Sequence, residues 1–375
     1  MSFLIWLPAL AWGFLLLAWG GFWRADQRLE GGETPAEWPA VAAVIPARDE
    51  AETISDVVTS LRRTDYPGAF EVFVVDDGSA DGTSAEARAA GGKVITAPPL
   101  EPGWSGKLAA VRAGVAEVDR TCPEARWILL TDADIRHAPG TLRALVAMGE
   151  GRGLAMVSLM ARLDMRGLWG GLLIPAFVFF FQKLYPFPWV NRRGHWCAAA
   201  AGGCVLIRRE ALREIGGIEA IRDALIDDCT LAAAVKRAGR AIWLGLADRE
   251  VVSLRDNRGF QSIWNMVART AFTQLRHSAL LLAGAVAGMG LLYLAPAALV
   301  VAGVLLGEVD IVLAGLTASG LMASAYRPTL RHYGRPAWQA TFLPVAAAMY
   351  LAMTVGSAMR HWRGQGGQWK GRTYP

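Results

Sequence analysis

Residues 127–134 read Trp127-Ile128-Leu129-Leu130-Thr131-Asp132-Ala133-Asp134, four apolar residues running straight into an Asp-x-Asp. A short unbroken apolar run reads as a strand buried on both faces, the habit of parallel sheets covered by helices. Two carboxylates therefore emerge where the strand ends, the edge at which open α/β sheets take ligands. The same order recurs upstream. Residues 41–45 are an apolar strand, followed by the loop Pro46-Ala47-Arg48-Asp49-Glu50 and a helix to about Arg63. Residues 72–75 are another, ending in Asp76-Asp77-Gly78-Ser79, with Asp81 placed to cap a helix from about Thr83. A short strand at 94–96 and a helix over 107–118 complete the alternation before Trp127. Continued to about Arg249, this pattern predicts an α/β domain with a mostly parallel sheet, whose bounds we draw at 40–278.

Outside that domain the chain is apolar. Hydrophobic residues make up 53% and charged residues 19% of the 375, a balance that places part of the chain in lipid. Residues 2–23 carry no charge and match one bilayer crossing of about 20 residues. The basic residues Arg24 and Arg28 follow this run instead of preceding it, the order of a retained anchor and not of a cleaved signal peptide. Because Lys and Arg favour the cytoplasmic side, the expectation is a multi-pass protein of the inner (plasma) membrane with its domain in the cytoplasm. Residues 1–23 are then the anchor and 24–39 a linker, with two glycines and two prolines between 31 and 39.

Residues 279–307, 311–326 and 337–359 contain no Asp, Glu, Lys or Arg and predict about three spans within 279–359, ahead of a basic tail at 360–375. Arg327, Arg331, His332 and Arg335 then fall in a cytoplasmic loop. An odd number of spans puts Arg360, Arg363, Lys370 and Arg372 outside, so either one segment re-enters or the charge rule does not hold there. Residues 172–181 are equally apolar but too short to span; a core helix and a segment on the membrane surface are both open readings, and three consecutive phenylalanines favour the surface. The net charge of +5 is modest, and no arginine-rich helix or zinc-type spacing accompanies it, which argues against a nucleic-acid partner. Anionic headgroups account better for basic residues beside apolar segments. Cys122, Cys197, Cys204 and Cys229 form no Cys-x-x-Cys pair and read as reduced thiols.

Three acidic clusters and one lysine are candidates for chemistry. Asp132 and Asp134 can hold Mg²⁺ or Mn²⁺, hard cations that take oxygen ligands and leave positions for phosphate oxygens. Solvated loops also carry Asp-x-Asp; the strand-end position is what favours the metal. Asp76 and Asp77 can accept from a uracil N–H or ribose hydroxyls, although Asp-Asp-Gly is also a turn signal. The loop 46–50 lies beside them if the two strands are neighbours. Asp227 and Asp228 open a predicted helix over 228–238, where they serve as caps or as a base for a reacting hydroxyl. Lys107, in Gly103-Trp104-Ser105-Gly106-Lys107, can meet a phosphate or remain solvated. His195, among Arg192, Arg193 and Trp196, reads as a loop residue beside an interfacial stretch.

Taken in order, Val44-Ile45-Pro46 with Glu50, Asp65-Tyr66-Pro67-Gly68, Val75-Asp76-Asp77-Gly78-Ser79, Gly106-Lys107, Asp132-Ala133-Asp134, Gly202-Gly203-Cys204 before Arg208-Arg209-Glu210, and Asp227-Asp228 carry a resemblance. From Val41 to about Ser278 the sequence resembles the inverting family 2 glycosyltransferases, which have the Rossmann-like GT-A fold. The resemblance implies a nucleotide-sugar donor, a UDP-sugar first. It implies that Asp76 or Asp77 binds uracil and ribose above Pro46, Ala47 and Glu50, and that Lys107 lies on the donor side. Asp132 and Asp134 are implied to hold the metal and diphosphate, and Asp228, beside Asp227, to be the catalytic base. Gly202, Gly203, Cys204 and Arg276 are implied on the acceptor side.

Lipid-glycosylating and processive members carry Gln/Arg-x-x-Arg-Trp. Thr273-Gln274-Leu275-Arg276-His277 lacks that tryptophan, which speaks against a processive synthase. The glycine-tryptophan run before Lys107, the apolar ends and the tail Trp369-Lys370-Gly371-Arg372-Thr373-Tyr374 are most similar to the hopanoid-associated glycosyltransferases. Members acting on ceramide and carotenoids are next. The implied partners are therefore a nucleotide-sugar, a membrane lipid acceptor and the bilayer. A membrane nucleotidyltransferase, which would release pyrophosphate, and a non-catalytic nucleotide-binding membrane scaffold are the other readings.

Overall fold

The computed structural model describes residues 3–364 and the backbone of 368–369 and 372–373. Ser2 of the expected anchor and Lys370, Gly371 and Tyr374 of the tail lie outside them. The strands are β1 (Val41–Ala47), β2 (Phe70–Asp76), β3 (Lys93–Thr96), β4 (Trp127–Leu130), β5 (Ile135–His137), β6 (Met156–Met160), β7 (Val205–Arg208), β8 (Ile242–Leu246) and β9 (Val251–Ser253). Seven of them form one sheet in the order β3-β2-β1-β4-β7-β6-β8. Within it β7 runs against β4 and β6, and the other pairings are parallel. The expected mostly parallel α/β sheet is what forms, and the four strands read from the sequence are β1 to β4.

Alternation along β1 explains the layers. Val41, Ala43, Ile45 and Ala47 face one core with Val57, Val58 and Leu61 of the Ile54–Arg62 helix. Ala42 and Val44 face the other with Leu108 and Val111 of the Gly106–Thr121 helix. Successive strand residues point to opposite faces, so a strand covered by helices on both sides must be apolar throughout. Pro46 cannot donate to a ladder. It is tolerated in this central strand because pairing with β4 stops at Val44↔Leu130, and the chain beyond β4 diverges there.

Four helices are long and apolar enough to cross a membrane: Gly167–Leu184, Ala279–Leu306, Val309–His332 and Ala337–Trp362. The last three are those expected. The first corrects the reading of 172–181 as too short, because the helix runs 18 residues through Pro175. Leu173, Ile174, Ala176, Val178 and Phe179 have no exposure. Phe179 packs on Tyr326 and Phe180 on Tyr350, each pair with ring centroids 5.1 Å apart. This helix therefore sits between the sheet and the C-terminal helices and belongs to the same core as both, not to a flat surface segment.

The apolar start is also shorter than the span expected over 2–23. Its helix, with a 3-10 first turn, covers Leu4–Ala18, about 24 Å of rise, against a hydrocarbon core of about 30 Å. Gly20 and Gly21, both at positive φ, end the run. Trp12 explains where the helix docks. Pro296 has no N–H for the carbonyl of Leu292 one turn earlier, and the Trp12 indole donates to that oxygen at 2.7 Å.

Candidate functional site

Pro46 at the end of β1 and Glu50 beyond it, Asp132 and Asp134 after β4, Met160 at the end of β6 and Gly202–Gly203 before β7 meet around one cavity of about 280 Å³. Each lies at the end of a strand that faces the same edge, or at the start of the antiparallel one. The Gly106–Thr121 helix brings Lys107, and the Asp227–Arg237 helix brings Asp227 and Asp228, all in first turns. Ser105 caps the former by accepting from Leu108 N at 3.2 Å, which fixes where Lys107 starts.

The ion pairs are specific. Lys107 Nζ lies 3.0 Å from Asp132 Oδ1 and 3.1 Å from Asp227 Oδ2. Burial pulls this ammonium toward the neutral form, but Asp132, Asp227 and Asp228 outweigh it and keep it charged. Arg255 Nε lies 3.2 Å from Asp134 Oδ2. That contact follows from a small antiparallel ribbon in which Ile135 pairs with Ser253, with Leu254 N donating to Asp134 O at 2.7 Å. Burial raises the Asp134 pKa, and the charge of Asp132 adds to it. Arg269 lines the cavity as well, where burial and the neighbouring Arg255 lower its pKa.

Asp228 has the environment of a base. Its Oδ2 accepts from Gly202 N and its Oδ1 from Cys229 N, each at 2.7 Å. Burial, then the charge of Asp227, raises its pKa to about 6, against the opposing pull of Lys107. A carboxylate poised there can take a proton near neutral pH. Thr131 ties the two sides together, donating to Gly203 O at 2.8 Å and pairing with His137 Nε2 at 2.9 Å. Burial keeps His137 neutral, with a pKa of about 4.

Of the residues singled out from the sequence, Pro46, Glu50, Lys107, Asp132, Asp134, Gly202, Gly203, Asp227 and Asp228 line the cavity. Ala47, Asp76, Asp77, Cys204 and Arg276 do not, and each has a local reason. Ala47 is 1% exposed in the core. The Asp76 carboxylate accepts from Ser79 N and from the Ser79 and Ser84 hydroxyls. Burial raises its pKa, but these bonds together hold it below the usual value. Asp77 pairs with Arg48. Cys204 turns into the core below the glycines, where burial pushes its thiol up to about 12. Arg276 follows the Ala271–Gln274 turn in a left-handed conformation (φ 52°) and is exposed. Arg255 and Arg269 were not singled out. No spacing marks them, since the first arrives by β5–β9 pairing and the second from the end of the Phe260–Ala268 helix.

Five carboxylates (Glu50, Asp132, Asp134, Asp227, Asp228) and three cations (Lys107, Arg255, Arg269) share the cavity, an excess of two formal negative charges. Its other wall is apolar, with Met160, Leu163, Phe177, Phe181 and Met266. Phe177 and Phe181 come from the Gly167–Leu184 helix. One cavity thus joins a charged floor to a helix of membrane-crossing length.

Strand order and this placement of carboxylates define an α/β domain of the GT-A type. Residues 42–216 match the model of glycosyl transferase family 2. An N-acetylglucosaminyltransferase of Mesorhizobium japonicum is 33% identical over 138 residues, 35% of this chain and 31% of the relative. The chain therefore spans about a third of the length of that curated relative. A mannosyltransferase of Pyrobaculum calidifontis, solved in complex with GDP-Man and Mn²⁺, is 19% identical, with a TM-score of 0.55. That likeness covers 94% of this chain and 99% of the other, and is one of fold.

Proposed function

We propose that the protein transfers a sugar, with inversion, from a nucleotide-sugar to a lipid acceptor at the membrane, in a metal-dependent reaction. The observation that carries this reading is that Asp134 and Asp228 line one cavity whose wall includes Phe177 and Phe181 of the Gly167–Leu184 helix. A hydroxyl on an apolar molecule can enter along that wall and meet a base.

Asp132 and Asp134 would hold a divalent cation. The excess of two negative charges in the cavity and the purely oxygen donor set suit Mg²⁺ or Mn²⁺. When bound, the cation supplies charge neutralisation for a departing diphosphate. Lys107, Arg255 and Arg269 supply further positive charge on the same side. Asp228 takes the proton from the acceptor hydroxyl as that oxygen bonds to the anomeric carbon and the nucleoside diphosphate leaves. The backbone N–H groups of Gly202 and Cys229 hold the carboxylate in place for this.

The acceptor class we favour is a hopanoid, on the resemblance of the sequence, and the donor a UDP-sugar. UDP-N-acetylglucosamine and GDP-mannose merit testing because of what the two relatives are named for. We place the domain on the cytoplasmic side of the inner membrane. Arg28 and His332 meet on Asp248 where the Val309–His332 helix reaches the domain, so the basic residues at that helix end lie on the domain side. The test is transfer of label from a panel of radiolabelled nucleotide-sugars into extractable lipid of total membranes. Lipid labelling that persists undiminished in both Asp134→Asn and Asp228→Asn would defeat the proposal.

A further inference from the structure

Asn257 lies in the loop between β9 and the Phe260–Ala268 helix. It is 0% exposed, yet neither its Oδ1 nor its Nδ2 has a hydrogen-bond partner among the described residues. It lines the same cavity as Asp134 and Asp228. Folded proteins satisfy buried amides almost without exception, and an unpaired one in a cavity wall is a group waiting for a ligand.

The surroundings narrow the ligand. Two hydroxyl side chains also line the cavity, but Ser105 caps its helix and Ser253 Oγ accepts from Arg255 N at 3.3 Å. Other uncharged side chains there include Met160, Leu163 and Phe177, which offer no strong hydrogen bond. The amide is also held in place. Two residues earlier Arg255 is fastened to Asp134, and the Asn257 carbonyl packs so closely on Gly170 that an added Cβ there would lie 3.2 Å from it. A fixed primary amide offers one acceptor and two donors side by side. Two neighbouring hydroxyls, one donating to Oδ1 and one accepting from Nδ2, satisfy it; a lone phosphate or an aliphatic chain does not.

We infer that Asn257 is a specificity-determining residue that reads a pair of neighbouring hydroxyls on the substrate. This rests on the proposed sugar transfer only in taking the cavity's substrate to be polyhydroxylated. The hydroxyl pair can belong to the transferred sugar or to a polyol headgroup of the acceptor, and the experiment separates them.

The full-length protein in detergent is compared with Asn257→Leu, close in volume and apolar. Without ligand, the variant is expected to melt at the wild-type temperature or above it, because it removes a buried amide that has no partner. Melting several degrees lower would make the amide structural and overturn the inference. Affinities are then measured for a long-chain vicinal diol against the mono-alcohol of equal length, and for UDP-glucose against UDP. Wild type is expected to prefer the hydroxylated member of one pair by about tenfold, and the variant to lose that preference. Preference within the alcohol pair assigns the hydroxyls to the acceptor; preference within the nucleotide pair assigns them to the sugar. No preference in wild type, or the same preference in the variant, overturns the inference. Should Asn257→Leu not fold, Asn257→Ala is read in the same assays. Because binding is measured without turnover, failure of glycosyl transfer leaves this outcome separately decided.

Discussion

The backbone N–H of Gly202 donates to Asp228 Oδ2 at 2.7 Å, joining the turn before β7 to the first turn of a helix that starts beyond it in the chain. The contact leaves little room for a side chain. A Cβ at Gly202 would lie 3.3 Å from Asp228 Oδ2 and 3.5 Å from Lys107 Nζ. The carboxylate would have to give by a few tenths of an ångström. Gly202→Ala is therefore expected to lower kcat by about tenfold with little change in melting temperature, since misplacing a base is costly while the backbone conformation suits alanine. Unchanged kcat would mean that this hydrogen bond does not position the base.

If Asp228 is the base it must be ionised to accept a proton, and burial with the charge of Asp227 raises its pKa to about 6. The rate of transfer should rise with pH through about 6 and level off above it, falling about tenfold per unit on the acid side. Lys107 holds that pKa down by its charge. Lys107→Met should therefore shift the acid limb to higher pH, as well as raising KM for the donor. A pH profile of kcat in both proteins measures this, and an acid limb at the same pH in both would contradict it.

Asp134→Asn should lower turnover by a factor of about 10³ or more if Asp134 holds the cation, and Asp228→Asn by about 10² to 10⁴ as expected for loss of a general base. The two should differ in metal response. Chelation with EDTA is expected to abolish wild-type transfer, and Mn²⁺ or Mg²⁺ to restore it, whereas excess metal should not rescue Asp228→Asn. Full turnover in EDTA would remove the metal from the mechanism.

The apolar helices offer a stability test apart from the cavity. Trp12→Phe keeps the aromatic packing against Tyr293 and Phe179 but removes the donor to Leu292 O. With Pro296 unable to replace it, a part-buried carbonyl loses its donor, at a cost of about 1 kcal/mol. The expected result is a lower melting temperature in detergent with unchanged KM for donor and acceptor.

Much of this site was legible locally. The strand ends at Pro46, Asp132 and Asp134, the first turns at Lys107 and Asp228, and the three C-terminal apolar helices all follow from runs of a few to some twenty residues. Asp76 is legible only in part. Its position at the end of β2 is as read, but Ser79 and Ser84 engage its carboxylate, and that depends on how the turn closes. The helix at Gly167–Leu184 is longer than the apolar run 172–181 because it also takes in Gly170, Gly171, Gln182 and Lys183, and its extent depends on packing against Tyr326 and Tyr350 and not on local apolarity.

The sequence by itself determined strands β1 to β4 and the edge where carboxylates gather, because strands covered on both faces must be apolar throughout and leave polar residues only at their ends. Tertiary structure alone decided which cations face those carboxylates, which amide is left without a partner, and which apolar helix becomes the cavity wall. Arg255 reaches Asp134 through β5–β9 pairing, and Asn257 is enclosed by the loop that follows. Contacts of that kind depend on strand register and on where the chain crosses back, quantities that no local run of residues encodes.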